Sequence, residues 1–227
     1  MSEIIISLSG GLDSAVLCAM LLAEREHHPV SPIFFRYGSK HGHWEEEAAR
    51  RVAEYFSLSL TTLDLRAAFA HTASALLAAD ARPVPRTGYD RASMAQTLVP
   101  GRNLVFASLL AAIAESRQAG AIASATHAGD RHLYPDCRPE FNAALAAVIA
   151  ASSEGRVRLL TPFSDMDKTA IVAQGIRLGV PFALTRSCYA DQRVSCGECG
   201  TCRERLAAFA ANGMEDPLAC AGYERAR

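Results

Sequence analysis

Several features that would narrow the function are scarce or absent in this sequence of 227 residues. Its 23 basic and 24 acidic side chains leave a formal charge of −1, so no general field attracts nucleic acid or an anionic membrane. No uncharged run is long enough to span a bilayer, and the first residues show no leader pattern. We therefore expect a cytoplasmic protein that handles small molecules, without nucleic acid or membrane partners.

Low-complexity tracts and internal repeats are absent too. With 50% hydrophobic and 21% charged residues, the composition is that of a globular enzyme and excludes disordered, collagen-like and coiled-coil chains. A chain of this length buries enough surface to build a core without disulfides. We predict one α/β domain over residues 1–180 and a smaller metal-binding segment over residues 181–227.

Strand and helix patterns alternate along most of the chain. Strands are predicted over residues 3–8, 30–37, 58–65, 121–125 and 157–160. Helices are predicted over residues 13–26, 43–56, 103–117, 139–151, 167–178 and 203–211. This alternation predicts a doubly wound parallel sheet. Residues 67–96 are longer than an ordinary connection, and we expect them to be partly helical and partly a mobile lid.

Two glycines lie where the first strand meets the first helix. The segment reads Ser9-Gly10-Gly11-Leu12-Asp13-Ser14, directly after Leu8. Ligands of parallel sheets bind at the carboxyl ends of strands, and glycines there let backbone N–H groups approach a phosphate. The segment matches neither the Walker pattern nor G-x-G-x-x-G, and a tight turn with a capping serine is the simpler alternative.

This segment resembles the pyrophosphate-binding loop of the N-type ATP pyrophosphatases. The resemblance implies an adenine nucleotide alpha hydrolase-like fold. It also implies that ATP binds to the loop, with Asp13 near the magnesium ion that screens the triphosphate. The ATP-binding residues implied are Leu8, Ser9, Gly10, Gly11, Leu12, Asp13 and Ser14.

Four of the seven cysteines fall within fifteen residues, at Cys188, Cys196, Cys199 and Cys202. Two successive C-x-x-C steps provide four thiolates, which satisfy a tetrahedral zinc ion and leave no vacant position. We therefore predict one structural Zn²⁺ per chain. An iron–sulfur cluster and a redox dithiol are the competing interpretations.

Two further loops place polar residues at helix starts on the expected ligand-binding edge. The first is Val99-Pro100-Gly101-Arg102-Asn103, and the second runs from Tyr134 through Asp136 and Arg138 to Phe141. Each alone could be an ordinary capped loop. His127 and His132 lie just before the second loop, where a histidine could move a proton or simply form a hydrogen bond.

Lysine is rare, since only Lys40 and Lys168 occur among the 23 basic residues. Both lie where the predicted topology places the active edge, Lys40 after the second strand and Lys168 at a helix start. A compact ammonium is not interchangeable with a guanidinium at a phosphate. We expect Lys168 to contact the triphosphate or adenylate and Lys40 to take part in catalysis, although chance placement of two lysines is the alternative.

Taken together, these motifs resemble those of the 7-cyano-7-deazaguanine synthases. The matching segments, in order along the chain, are 9–14, 37–41, 99–103, 134–138, 161–162, 168, 187–189 and 196–205. The resemblance implies that ATP and ammonia convert 7-carboxy-7-deazaguanine into the nitrile through an adenylate and an amide, in a homodimer. It implies catalytic roles for Asp13, Ser14, Lys40 and Lys168, ATP contacts from Arg102 and Asn103, and substrate contacts from Asp130, Tyr134, Asp136 and Arg138.

The sequence departs from the usual family pattern at Arg36, at Ser39-Lys40 and at Arg131-His132-Leu133. Alternatives therefore stay open. The enzyme could stop at the amide, transfer the activated deazaguanine to another amine, or adenylate a different substrate. A zinc-stabilised binding module without turnover is the alternative from another functional class.

Overall fold

The computed structural model describes residues 2–24, 29–86 and 94–218, and a five-stranded parallel sheet forms its centre. The strands are β1 (Ile4–Ser7), β2 (Val30–Arg36), β3 (Thr61–Asp64), β4 (Ala121–Ala123) and β5 (Arg158–Leu160). Their order is β3-β2-β1-β4-β5, and every neighbouring pair is parallel. The sheet is therefore doubly wound, and its strand order reverses between β1 and β4.

Helices cover both faces of the sheet. They are α1 (Leu12–Glu24), α2 (Gly42–Tyr55), α3 (Arg66–Phe69), α4 (Arg102–Ser116), α5 (Pro139–Ser152), α6 (Lys168–Arg177) and α7 (Gly200–Ala211). The described residues also form 3₁₀ turns at Ala128–His132, Pro135–Cys137 and Phe182–Leu184. Residues of α4 and α5 pack on one face, and residues of α1, α2, α6 and α7 pack on the other.

The alternation of side chains along β1 explains the two layers. Ile4 and Ile6 pack against the α1 side, whereas Ile5 packs against the α4 side, because successive side chains of a strand point to opposite faces. A central parallel strand is covered on both faces, so all three isoleucines are buried.

The predicted fold class is confirmed, and the predicted strands and helices lie within a few residues of the observed ones. β3 begins at Thr61 rather than at residue 58, and the final helix begins at Gly200 rather than at residue 203. The second C-x-x-C step forms its first turn, with Cys199 at the N-cap. In the segment predicted to be partly a lid, α3 is helical and Ser39 pairs with Leu77 in an antiparallel bridge. Residues 87–93 of that segment lie outside the described residues.

The C-terminal segment packs on the main body. The rings of Phe182 and Phe209 meet edge to face with centroids 5.0 Å apart, and both belong to the core on the α1 side. The buried Arg205 forms an ion pair with Asp216 at 2.7 Å. In the parts of the chain that the structure describes, no helix is long and apolar enough to cross a membrane.

Candidate active site

A cleft opens at the carboxyl edge of the sheet, outside the ends of β1 and β4. This is the point where the strand order reverses, and it is where open α/β sheets bind their ligands. Several elements contribute polar side chains to it. These side chains include Ser9, Asp13, Ser14, Tyr37, Glu45, Arg102, Asn103, His127, Asp130, Lys168, Tyr189 and Glu204.

The loop between β1 and α1 forms the floor of the cleft. Ser9 Oγ and Ser14 Oγ lie 3.1 Å apart, the Gly11 N–H donates to Ser9 Oγ, and Ser14 Oγ donates to the Gly11 carbonyl. Gly10 has a φ of +78°, and a Cβ there would lie 2.4 Å from the Glu45 carbonyl oxygen. Gly10 therefore lets the loop lie directly against α2. Neither Gly10 nor the buried Leu8 lines the cleft itself.

Lys168 forms the main ion pair of the cleft with Asp13. Its Nζ lies 2.8 and 2.7 Å from the two Asp13 carboxylate oxygens and 3.4 Å from Glu204 Oε2. Burial raises the pKa of Asp13, but the charge of Lys168 and its hydrogen bonds to the carboxylate outweigh this effect, so that pKa lies below its ordinary value. Burial opposes the charge of Lys168, but Asp13 and Glu204 raise its pKa above the ordinary value. Both groups are ionised at neutral pH.

His127 connects two carboxylates beside this ion pair. Its Nδ1 accepts the Gly129 N–H at 3.1 Å, which assigns the proton of the neutral ring to Nε2. Nε2 lies 3.3 Å from Asp130 Oδ2 and 4.0 Å from Asp13 Oδ2. Donor atoms of His127, Asp130 and Glu204 lie within 4.8 Å of one another. Because Nε2 carries the proton, the carboxylates are the groups available to a hard cation here.

The other half of the cleft, towards β2, is aromatic. The Arg102 guanidinium lies 5.7 Å from the centroid of the Tyr37 ring. Burial opposes its charge, but Tyr37, Tyr189 and Asp136 raise the pKa of Arg102 above the ordinary value. Glu45, in the first turn of α2, lies opposite as the carboxylate of this half.

Lys40, predicted to take part in catalysis, does not line the cleft formed by the described residues. Its ammonium donates to the carbonyls of Ala75, at 2.9 Å, and Arg82, at 2.5 Å. Its backbone N–H donates to the Leu76 carbonyl. Lys40 thus joins the segment after α3 to the loop that follows β2.

The 134–138 motif supports the cleft from behind. Tyr134 is buried, and its hydroxyl pairs with Thr97 Oγ1 at 2.8 Å. Asp136 Oδ2 accepts the Asn103 N–H at 3.3 Å, and Arg138 Nε donates to the Arg131 carbonyl. None of the three lines the cleft. Of the four predicted substrate residues, only Asp130 lines the cleft.

Next to the cleft, the four cysteines come together as their spacing predicts. They are buried, and one ligand atom from each lies within 4.8 Å of the others. The sulfurs of Cys196 and Cys202 are 4.0 Å apart, close to the roughly 3.8 Å expected for thiolates about 2.3 Å from a tetrahedral zinc. Hydrogen bonds from Cys188 lower the pKa of Cys199 and bring that of Cys196 to about 6. No disulfide occurs among the described cysteines, and the cluster fits a metal ion.

The segment that carries the four cysteines also contacts residues 9–14, the predicted phosphate-binding loop, called the phosphate loop below. The Arg186 N–H donates to the Gly10 carbonyl at 2.8 Å, and Arg186, Ser187 and Tyr189 line the cleft. The metal-binding segment therefore forms one wall of the site.

Sequence reasoning did not select Glu45 or Glu204 and left His127 undecided. Glu45 and Glu204 look like ordinary charged positions near helix starts. A weak signal existed for Glu45, since His41 lies four residues earlier, within reach on the same helix face. For Glu204, its position two residues after Cys202 was the only pointer.

Comparison with known proteins identifies the family of this chain. The family model for queuosine biosynthesis protein QueC matches residues 3–213. The chain belongs to the QueC family. It is 41% identical over 218 residues to a 7-cyano-7-deazaguanine synthase from Ruegeria pomeroyi, which covers 95% of this chain and 93% of that relative. A QueC relative from Marinobacter nauticus with the same name is 38% identical and covers 98% of each chain.

Among solved structures, NMN synthetase from Francisella tularensis aligns with a TM-score of 0.54 at 16% identity, covering 94% of this chain and 78% of that one. The U34-tRNA thiolase NcsA from Methanococcus maripaludis, solved with its 4Fe–4S cluster, aligns with a TM-score of 0.50 at 13% identity, covering 83% and 60%. At such identities the likeness is one of fold. The QueC chain shares its fold with these two proteins.

Proposed function

We propose that this chain is a 7-cyano-7-deazaguanine synthase, an ATP-dependent carbon–nitrogen ligase. The observation that carries the proposal is the match to relatives of this name over more than nine tenths of both chains. Its substrates are then 7-carboxy-7-deazaguanine and ammonia.

The reaction requires two activations. A carboxylate is a poor electrophile, so one oxygen must first become a leaving group through adenylation, which releases pyrophosphate. Ammonia then displaces AMP and gives the amide. A second adenylation, on the amide oxygen, lets that oxygen leave and produces the nitrile. Such chemistry depends chiefly on positioning and charge neutralisation.

We assign the binding of ATP and its magnesium ion to the half of the cleft formed by the start of α1 and the side of β4. The start of α1, with Ser9, Gly11 and Ser14, offers N–H and hydroxyl donors to phosphate. Lys168 supplies a compact positive charge beside it. Asp13 and Asp130 have the oxygen donors that Mg²⁺ prefers, and the ion would neutralise the triphosphate.

For the remaining partners, we propose a structural Zn²⁺ in the four-cysteine cluster and a homodimer in the cytoplasm. The buried sulfurs leave no open ligand position, which favours a structural over a catalytic metal. Metal analysis of the purified protein tests the zinc assignment. Light scattering after size exclusion tests the dimer.

The reaction itself is tested by mass spectrometry of products from ATP, ammonium and 7-carboxy-7-deazaguanine. We expect the nitrile, together with AMP and pyrophosphate. Accumulation of the amide alone would indicate an enzyme that stops halfway. A conjugate with an added amine would indicate a transferase. Absence of any ATP-dependent product would contradict the assignment.

A further inference from the structure

We propose that Glu45 recognises the guanine edge of the substrate by accepting its ring N1–H and its exocyclic amine, with Arg102 donating to the neighbouring oxygen. This inference deepens the proposed function and rests on it. It names the residue that selects a guanine-type base.

The acidic side chains of the cleft fall into two groups. Four carboxylates line it among the described residues. Asp13, Asp130 and Glu204 lie together with Lys168 and His127 on the side of β4. Glu45 lies apart from them, on the side of β2, beside the aromatic residues. The three grouped acids suit a cation and phosphates, so Glu45 has a different task.

Neighbouring side chains hold the Glu45 carboxylate in place. Its Oε2 accepts from Ser39 Oγ at 3.2 Å, and its Oε1 lies 3.4 Å from His41 Nε2. His41 is fully buried, and neither ring nitrogen has a partner with hydrogen-bond geometry in the described part of the chain. A buried imidazole behind the carboxylate and a hydroxyl beside it fix its position. Burial raises the pKa of Glu45, but His41 outweighs it, so that pKa lies below its ordinary value and Glu45 stays an acceptor.

Aromatic rings and a guanidinium line the cleft on the same side as Glu45. Tyr37, Phe35 and Phe106 line the cleft, and the rings of Phe35 and Phe106 are stacked with centroids 4.3 Å apart. These rings suit a flat bicyclic ligand. Arg102 and Glu45 both line the cleft, which therefore offers a guanidinium and a carboxylate to one ligand.

A guanine edge matches that pair of charges. It presents two adjacent N–H donors and then a carbonyl oxygen, which a carboxylate and a guanidinium satisfy in that order. An adenine edge has one amine donor next to an acceptor nitrogen, so a carboxylate would face a lone pair. Asp136 and Arg138 do not line the cleft, and they bond instead to the Asn103 N–H and to the Arg131 carbonyl.

The test compares Glu45→Gln with Glu47→Gln, an exposed position on the same helix. The amide introduced by Glu45→Gln would present a donor to a donor. We expect the KM for 7-carboxy-7-deazaguanine to rise about tenfold or more, and the KM for ATP to change less than about twofold. The wild type should prefer this substrate over its analogue without the exocyclic amine, and Glu45→Gln should lose that preference. Glu47→Gln should behave as wild type.

Two other outcomes overturn the inference. If the KM for ATP rises and that for the deazaguanine does not, Glu45 binds the ribose hydroxyls. If neither changes, Glu45 only braces α2. Should Glu45→Gln fail to fold by circular dichroism, Glu45→Asp keeps the charge but withdraws the oxygens. It should then raise the same KM, and an unchanged KM would again overturn the inference.

Calorimetric binding of 7-carboxy-7-deazaguanine without ATP separates this inference from the proposed function. If the wild type binds the base but forms no product, the proposed function fails. Weaker binding by Glu45→Gln then still supports the role of Glu45, and equal binding overturns it. If the wild type does not bind the base at all, both fail.

Discussion

The phosphate loop and the 134–138 motif lie at the same edge of the sheet, and each precedes a helix. Their polar side chains nevertheless have different roles. Ser9, Asp13 and Ser14 line the cleft. Tyr134, Asp136 and Arg138 instead bond to other parts of the protein. The difference teaches that a helix start offers a ligand site only where the protein has not already satisfied its donors and acceptors.

The helix that each motif meets explains the difference. The start of α4 has no capping side chain of its own, since Gly101 is at its N-cap. Asp136 supplies the missing acceptor to the Asn103 N–H from a distant part of the chain, as an N-cap side chain would. The carboxylate that was expected to bind a ligand is therefore used to begin a helix.

The largest effect should follow loss of one cysteine of the predicted metal site that lies next to the phosphate loop. Cys199→Ser removes one of four ligands, and structural zinc contributes on the order of 10 kcal/mol to local folding. We expect loss of bound metal, proteolysis after Ser187 and loss of turnover, because Arg186 no longer holds Gly10. Metal analysis and limited proteolysis measure this. Cys18→Ala, a buried cysteine outside the cluster, is the control, and full metal content in Cys199→Ser would contradict the ligand assignment.

The next largest effect should come from the loop itself. Asp13→Asn removes the charge that holds Lys168 but keeps the side-chain volume. We expect turnover to fall about 100- to 1,000-fold, the scale for losing one preorganised electrostatic contact. Circular dichroism and metal content should match the wild type. Turnover at the wild-type rate would show that the loop is a turn and nothing more.

A smaller effect, on stability rather than turnover, is expected at Lys40. Lys40→Met deletes two charge-assisted hydrogen bonds to carbonyls, so the free energy of unfolding should fall by about 1–2 kcal/mol. Chemical denaturation measures it. The kcat/KM should stay within about twofold of the wild type. A large fall in kcat with unchanged stability would restore Lys40 to the active site.

The smallest effect should be at Asp136. Asp136→Asn keeps an oxygen that can accept the Asn103 N–H, so the loss in free energy of unfolding should be under about 1 kcal/mol. The KM for 7-carboxy-7-deazaguanine should not change. A selective rise in that KM would place the motif against the substrate and erase the contrast with the phosphate loop.

The parts of this protein that sequence predicts are those set by local periodicity and spacing. The apolar run of β1, its joint with α1 and the two C-x-x-C steps each encode their geometry within a few residues. Glu45 and Glu204 were not predictable in this way, because their importance comes from neighbours such as Arg102 and Lys168, far away in the chain. Lys40 shows the same limit, since its rarity indicated a special position but not which oxygens it would meet.

Because Gly10 has no side chain, the phosphate loop and α2 are in direct backbone contact. A methyl group at this position would press on the Glu45 carbonyl and on Ala49 N at 2.6 Å, so α2 would have to move away from the loop. The spacing between the phosphate loop and α2 is therefore set by backbone contact rather than by adjustable side chains. The same contact sets how far Glu45 lies from the proposed triphosphate site.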